Sequence, residues 1–158
     1  DEFFKKTKLE DLLEEIISSF KETSSKQINL TLENEKNKPL ISRSPELIYG
    51  LRNFIGNAVK FSKSTVEINV LNHDDKIKIK INDDGPGFPD DIKEVIGEPY
   101  IKSKSNQVSS NSGTGLGTFL GKTLLERKSA NLEFTSDKKL GGASVIISWN
   151  LDDINSIV

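Results

Sequence analysis

Residues 53–60 read Asn-Phe-Ile-Gly-Asn-Ala-Val-Lys, and residues 83–88 read Asp-Asp-Gly-Pro-Gly-Phe. A second glycine run, Gly-Thr-Gly-Leu-Gly, occupies residues 113–117. Each of these three motifs is common in unrelated proteins when it stands alone. In this order and at these separations, they indicate one fold and one kind of site.

The first motif lies on a predicted helix over residues 45–61. Ser44 followed by a proline is typical of a helix start, because serine caps the first amides and proline fits the first turn. At about 100° per residue, Asn53, Asn57 and Lys60 fall on one side of this helix, and its apolar residues centre on the other. One side is therefore predicted to pack on a sheet, and the other to present two amides and an ammonium.

This polar side has the chemistry of a metal–phosphate site. A carboxamide oxygen such as that of Asn57 suits Mg²⁺, which takes few protein ligands and completes its shell with phosphate and water. The ammonium of Lys60 meets phosphate oxygens as a point charge. An ordinary solvated helix face is the alternative. Gly56 favours the functional interpretation, because glycine inside a helix costs about 1 kcal/mol relative to alanine and is tolerated where something approaches closely.

The second motif follows a predicted strand whose alternation ends at Ile81. Asp83 is therefore expected at a strand end, where its carboxylate can accept the exocyclic amino hydrogen of adenine. Gly85 and Gly87 permit positive φ and a close approach of the backbone to a flat base. An ordinary Asp-Gly-Pro-Gly turn is the alternative. Asp84 is interpreted as a solvated neighbour.

The third motif precedes a helix predicted from Leu116 to about residue 127. Gly113, Gly115 and Gly117 let backbone amides and the helix N-terminus face phosphate, and Thr118 adds a hydroxyl. A bare glycine cluster without function is the alternative.

Residues 102–112, just before this motif, contain a single apolar side chain and are predicted to form a mobile loop. Lys104 in this loop is a candidate clamp for a γ-phosphate, or simply a solvated lysine.

Hydrophobic periodicity predicts the remaining elements. A helix is predicted over residues 7–21, where Thr7 and Glu10 form a capping-box pattern. Strands are predicted near residues 28–32, 40–41, 66–70, 77–81, 132–134 and 143–149, with a turn at 72–75 and a short helix near 90–96. The predicted fold class is α+β, a two-layer sandwich of one mixed, mostly antiparallel sheet with helices on one face.

Composition excludes several classes of protein. The 158 residues carry a formal net charge of −2 with both signs interspersed, which argues against nucleic-acid binding. The chain has no cysteine, and no apolar run approaches the roughly 20 residues of a membrane helix. Since it also lacks methionine, we expect a domain of a longer protein. His73, the only histidine, is interpreted as a solvated turn residue rather than a phosphoacceptor.

The order of the three motifs resembles the N, G1 and G2 boxes of the GHKL nucleotide-binding fold, or Bergerat fold, over roughly residues 40–150. The resemblance implies ATP and Mg²⁺ as cofactors, with Asn57 as the metal ligand and with Asn53 and Lys60 as catalytic residues. It implies a domain over residues 1–151 with an ATP lid at about 98–115, and a tail over 152–158. The implied nucleotide-binding residues are Asn53, Asn57, Lys60, Asp83, Gly85, Gly87, Lys104, Gly113, Thr114, Gly115, Leu116, Gly117 and Thr118.

Position 53 separates the branches of this fold. ATPase members of the fold carry a water-activating glutamate at this position. Asn53 instead resembles the asparagine of sensor histidine kinases, and this resemblance implies phosphoryl transfer rather than hydrolysis. Residues 96–100 and 115–127 resemble redox-responsive kinases of the RegB/PrrB type. Tyr100, where that pattern has phenylalanine, and Thr118, where it has leucine or serine, depart from it.

The same resemblance implies the partners. The γ-phosphoryl acceptor would be a histidine on a dimerisation domain absent from this chain, and a response regulator would follow. The implied location is the cytoplasmic side of a membrane-anchored sensor, homodimeric as a whole and monomeric as this fragment. Two alternatives stay open: a GHKL nucleotide-binding or interaction module without kinase activity, and a GHKL ATPase.

Overall fold

The computed structural model describes residues 6–33, 39–90, 92 and 113–155. In chain order, the elements are β1 (Lys6–Lys8), α1 (Leu9–Lys21), β2 (Gln27–Glu33), β3 (Leu40–Ser42), α2 (Pro45–Phe61), β4 (Thr65–His73), β5 (Lys76–Asp83), α3 (Gly113–Arg127), β6 (Asn131–Ser136), β7 (Ala143–Asn150) and α4 (Leu151–Asn155).

Five strands form one sheet in the order β2-β4-β5-β7-β6. β2 and β4 are parallel, and the other three pairs are antiparallel, which confirms the predicted mixed, mostly antiparallel sheet. A second, two-stranded sheet pairs β1 with β3, so the expectation of a single sheet is wrong. Periodicity missed β1 because it has only three residues and no buried position.

The first helix begins at Leu9 rather than at residue 7. Thr7 lies in β1, paired with β3, and Lys8 precedes the helix without a capping hydrogen bond from its side chain. The amide of Leu9 donates instead to the carbonyl of Pro39 at 3.1 Å. The predicted capping box is therefore wrong, because the helix begins at Leu9, so that Lys8 takes the N-cap position and Thr7 lies in β1.

Helix α2 agrees with its prediction at both ends. The Oγ of Ser44 accepts a hydrogen bond from the amide of Leu47 at 3.2 Å, and proline occupies the first turn. Its apolar side is buried against the sheet and against the other helices, at Leu47, Leu51, Phe54, Ile55, Ala58 and Val59.

The hairpin of β4 and β5 buries alternate residues, as predicted for a sheet with one covered face. Its turn is narrower than expected, because strand β4 continues through His73. Asp74 and Asp75 have φ of 52° and 61°, so both adopt the left-handed conformation that a tight two-residue hairpin requires. The His73 side chain is 82% exposed, 3.0 Å from the carboxylate of Asp74, in agreement with a solvated position.

Helix α3 begins at Gly113, before the predicted start at Leu116. Glycine disfavours a helix, so the run was expected to be a loop. Two later glycines have a packing role: Gly117 and Gly121 face Asn53 of α2, where an added Cβ would lie 3.1 and 3.0 Å from its amide atoms. Residues 113–115, expected in the lid, are helical.

Trp149 is buried near the end of β7, as its place in a core strand predicts. Its indole Nε1 donates to the carbonyl of Lys128, just after α3, at 3.0 Å. The expected tail begins with α4, in which Ile154 is fully buried. Most of the helix predicted near residues 90–96, and the lid up to residue 112, lie outside the described residues.

Candidate functional site

A cavity lies between the C-terminal half of α2, the end of β5, the start of β7 and the beginning of α3. Its polar side chains are those of Asn57, Asp83 and Thr118. The apolar part of the lining consists of Phe54, Ala58, Phe61, Ile81, Phe88, Pro89, Ile92, Ala143 and Val145. Ligand sites are mostly apolar with a few placed polar groups, so this lining suits a flat base with one polar edge.

Two of the aromatic residues that line the cavity pack against the same third ring. Phe54 of α2 and Phe88, which closes the second motif, each lie 5.8 Å from the ring of Phe134 in β6. None of the three sequence motifs predicts this aromatic cluster as part of the site. The available signal was the aromatic residue immediately after Asp-Gly-Pro-Gly.

Asp83 ends β5 and is only 4% exposed. Its Oδ1 accepts hydrogen bonds from the amides of Gly85 at 2.8 Å and Ala143 at 3.2 Å. Burial raises the pKa of the Asp83 carboxyl, and these two hydrogen bonds only partly oppose that rise. Among the described residues none donates to Oδ2, so this oxygen is left to accept a hydrogen bond from a ligand in the cavity.

Glycines allow the backbone to close around Asp83. A Cβ at Gly85 would collide with the carbonyl oxygen of Phe61, and a Cβ at Gly142 would collide with backbone and carboxylate oxygens of Asp83. Gly87 has the predicted positive φ, at +91°, whereas Gly85 does not. Gly85 is therefore required by the end of α2, not by an approaching base. Sequence reasoning missed Gly142, although it ends a glycine pair just before a strand.

Asn57 connects the first motif to the third. Its Nδ2 donates to the Oγ1 of Thr118 at 3.3 Å and lies 3.5 Å from the Oδ1 of Asn53. Thr118 is buried. Within the part of the chain that the structure describes, the Oδ1 of Asn57 has no hydrogen-bond partner. A free carboxamide oxygen is the kind of ligand that Mg²⁺ accepts.

The side chain of Asn53, on α2, faces Gly117 and Gly121 of α3, and it is not part of the cavity lining. Gly56, on the other hand, faces α1: an added Cβ would lie 3.0 Å from the ring of Phe20. The interpretation that Gly56 makes room beside the polar side of the helix is therefore wrong. A neighbouring helix, rather than a ligand, approaches it.

Lys60 is exposed, and its Nζ lies 5.3 Å from the ring centroid of its neighbour Phe61. Since Phe61 lines the cavity and Lys60 does not, the ammonium lies outside the lining. A role for Lys60 at phosphates stays a prediction.

The remaining predicted binding residues lie at the start of α3 or beyond the described residues. Gly113 and Thr114 belong to the first turn of α3, Gly115 is buried, and Leu116 is 50% exposed. Helix N-termini favour anions because their first amides have no partner within the helix. Lys104 lies outside the described residues, and its role stays a prediction.

Asp84 differs from the prediction of a solvated neighbour. Its carboxylate accepts hydrogen bonds from the amides of Lys63 at 2.8 Å, Ser64 at 3.1 Å and Thr65 at 3.2 Å, and from the Ser64 hydroxyl at 2.9 Å. Burial acts to raise the pKa of Asp84, but the hydrogen bonds outweigh it and lower the pKa to about 2. Asp84 therefore holds the segment between α2 and β4.

Two broader features hold for the described residues alone. They contain no group of three or more acidic, histidine or cysteine side chains arranged to hold a metal. None of their helices combines the length and apolar character needed to cross a membrane.

Known proteins match both the sequence and the fold. A family model described as histidine kinase-, DNA gyrase B-, and HSP90-like ATPase matches residues 43–153. Sensor histidine kinase RegB of Cereibacter sphaeroides is 44% identical over 107 residues, which are 65% of this chain and 23% of RegB. The predicted resemblance to RegB-type kinases is confirmed, and the match spans about a quarter of that relative's length.

Two solved structures share the architecture. The catalytic domain of histidine kinase ThkA aligns with a TM-score of 0.71 at 18% identity, covering 92% of this chain and 95% of that one. Full-length ShkA in complex with AMPPNP aligns with a TM-score of 0.71 at 21% identity, covering 92% of this chain and 30% of ShkA. At these identities the likeness establishes the fold, which is the predicted GHKL fold.

Proposed function

The chain belongs to the histidine kinase-, DNA gyrase B- and HSP90-like ATPase family, and on this premise we propose that it binds Mg²⁺-ATP and transfers the γ-phosphoryl group to a histidine on a separate dimerisation domain. It is a catalytic, ATP-binding domain of the type found in sensor histidine kinases. The observation that carries the proposal is that Asn57 and Asp83, from different elements, line one cavity.

Recognition of adenine is assigned to Asp83. The Oδ2 of its carboxylate accepts the exocyclic amino hydrogen, while Oδ1 stays bound to two backbone amides. The apolar walls of the cavity contact the faces of the base. A guanine would place a carbonyl oxygen against the carboxylate, so we expect preference for adenine.

The triphosphate is assigned to the space between α2 and the N-terminus of α3. Asn57 would hold Mg²⁺ through Oδ1, and the ion would supply neutralisation of phosphate charge. The first amides of α3 face the phosphates, and Lys60 adds a positive charge near the cavity. Asn53 holds the Asn57 amide in place through their contact at 3.5 Å.

Transfer rather than hydrolysis follows from position 53. An amide there is no general base, so the site lacks the water-activating carboxylate of the ATPase branch. Catalysis then consists of positioning and charge neutralisation, which are the main contributions in phosphoryl transfer. The base and the acceptor histidine belong to the dimerisation domain.

The partners of the proposed kinase are a phosphoacceptor domain and a response regulator. Support comes from the name of the relative RegB, a sensor histidine kinase, and from AMPPNP in the ShkA complex. We propose that the whole protein is a homodimer with this domain on the cytoplasmic side of a membrane-anchored sensor.

The test mixes this chain with the dimerisation domain of a RegB-type kinase and γ-labelled ATP. Label on the acceptor that survives base but not acid indicates phosphohistidine and supports the proposal. At an ATP concentration near the wild-type dissociation constant, the variants Asn57→Ala and Asp83→Asn should lose most of the label. Glu15→Gln, far from the cavity, should keep it. Nucleotide binding without transfer would instead indicate a binding module, and steady phosphate release without an acceptor would indicate an ATPase.

A further inference from the structure

Residues 59–65 comprise the end of α2, the connection to β4 and the first residue of β4, and two side chains of opposite charge hold them. From one side, the Nζ of Lys26 donates to the carbonyls of Val59 at 2.6 Å, Lys60 at 3.2 Å and Ser62 at 2.7 Å. The last carbonyls of a helix have no partner within it and form the negative end of the helix dipole, so an ammonium there is doubly favourable.

From the other side, Asp84 accepts the amides of the next three residues, 63–65. Within this short stretch, the ammonium of Lys26 therefore bonds the carbonyl groups and the carboxylate of Asp84 bonds the amide groups. The amide of Asp84 also donates to the carbonyl of Thr65 at 3.3 Å. We call Lys26 and Asp84 the junction clamp.

The junction clamp lies directly behind the nucleotide cavity. Asp84 follows Asp83 in the chain, and the carbonyl of Phe61 touches Gly85 in the next turn. Phe61 itself lines the cavity, and Asn57 lies one turn earlier on α2. Whatever fixes residues 59–65 therefore fixes Asn57 relative to Asp83.

We propose that Lys26 and Asp84 are positioning residues that set the affinity for ATP by holding Asn57 and Asp83 at a fixed separation. This rests on the proposed function. Lys26 precedes residues 43–153, the region that the family model matches, so the family match does not assign it. A 1 Å error in placing binding groups weakens a site strongly, which makes the anchoring of α2 consequential.

The test measures the dissociation constant for Mg²⁺-ATP by titration calorimetry, at a temperature where each variant is fully folded. Lys26→Met removes the ammonium at similar size, and Asp84→Ala removes the acceptor. We expect each to raise the dissociation constant about 3- to 10-fold. Asp84→Asn, which keeps one acceptor oxygen, should fall between wild type and Asp84→Ala. The double variant should do little more than the stronger single one, since both release the same segment.

The matched control is Glu15→Gln. It removes the negative charge and one of the two hydrogen bonds (2.9 and 3.0 Å) that Glu15 accepts from Arg43, far from the cavity. It should lower the melting temperature without changing the dissociation constant. Clamp variants that melt earlier but bind ATP as wild type does would overturn the proposal.

Hydrogen exchange separates this proposal from the proposed function. In the ligand-free protein, Lys26→Met should speed exchange of the amides at residues 60–65, whether or not ATP binds. Wild type that binds no ATP would overturn the proposed function and with it the positioning role. Wild type that binds ATP, with unchanged exchange in Lys26→Met, would overturn the junction clamp alone.

Discussion

Two adjacent carboxylates at the end of β5 face different surroundings. Asp83 lies on the cavity side, and Asp84 lies on the junction side, next to residues 63–65. The side chain of Asp83 lines the cavity and is almost fully buried, and one of its oxygens accepts hydrogen bonds from two backbone amides. Asp84 is partly exposed and accepts three amides and a hydroxyl. Burial raises the pKa of Asp83, whereas hydrogen bonds bring the pKa of Asp84 down to about 2. Two identical neighbours thus separate into a cavity-lining group and a structural one.

The two shifts have opposite consequences for stability. A raised pKa means that the folded protein disfavours ionised Asp83, so its charge weakens the fold at neutral pH. A lowered pKa means that ionised Asp84 stabilises the fold above its ordinary value of 3.8, and that this contribution is lost as pH falls toward 2. The molecule therefore keeps a costly charge on the cavity side and a stabilising one on the junction side.

The largest expected effect comes from removing the cavity-side charge. Asp83→Asn should weaken ATP binding roughly 10- to 150-fold, because a hydrogen bond to a charged acceptor is lost and an amide donor faces the adenine amino group. The melting temperature at pH 7 should stay equal or rise, since a buried charge is removed. Calorimetric titration and thermal melting check both. If Asp83→Asn lost stability as well as affinity for ATP, the conclusion that the charge of Asp83 destabilises the fold would be contradicted.

Gly142→Ala should disturb the cavity side without touching its charge. The new methyl group would collide with Asp83, so the turn between β6 and β7 must move and the Ala143 amide must leave its acceptor. We expect a loss of about 1–3 kcal/mol in unfolding free energy and weaker ATP binding. Denaturant unfolding and titration measure these. Lys139→Ala, in the same turn, is the control and should bind ATP normally.

A smaller effect is expected on the junction side at acidic pH. Asp84→Asn should lower the melting temperature at pH 7 by about 2–4 °C, a modest value because the group is partly exposed. The difference from wild type should shrink from pH 4 downward and vanish only below pH 2, where wild-type Asp84 becomes protonated in the folded protein as well. A pH series of thermal melts checks this. A difference that stays at its pH 7 size as the pH falls through 2 would mean that charge is not the cause.

The smallest effect is expected at Gly56, on the side of α2 away from the cavity. Gly56→Ala should change stability by no more than about 1 kcal/mol, because the gain in helix propensity opposes the contact with Phe20. ATP binding should be unchanged. Replacing Phe20 by leucine in the same protein should restore any lost stability. Weaker ATP binding in Gly56→Ala would revive the functional interpretation of this glycine.

Elements with strong periodicity were predictable from the sequence. Helix α2, its Ser44 cap, the hairpin of β4 and β5, and the buried Trp149 all follow from local pattern. β1 and the start of α3 were not predictable, because a three-residue strand defined by its pairing with β3 has no periodicity and because a glycine-rich run disfavours a helix.

The site divides in the same way. The motifs identified Asn57 and Asp83, whose side chains share the cavity. They could not show that Gly56 and Gly85 make room for other parts of the protein rather than for a ligand. Nor could they show that Gly142 packs against Asp83, or that Lys26 holds the end of α2, because those contacts join distant parts of the chain. The sequence indicates which groups have suitable chemistry, and only the fold reveals what holds them.

The single tryptophan gives the protein a natural optical probe. Trp149 lies toward the far end of β7 from Ala143, which lines the cavity, so about 20 Å of extended strand separates the indole from bound nucleotide. Because the ring is buried and donates a hydrogen bond to the carbonyl of Lys128, its emission should shift on unfolding. Because it is distant from the cavity, a bound ligand should quench it little. Intrinsic fluorescence can therefore follow denaturation with ATP present, using unlabelled protein.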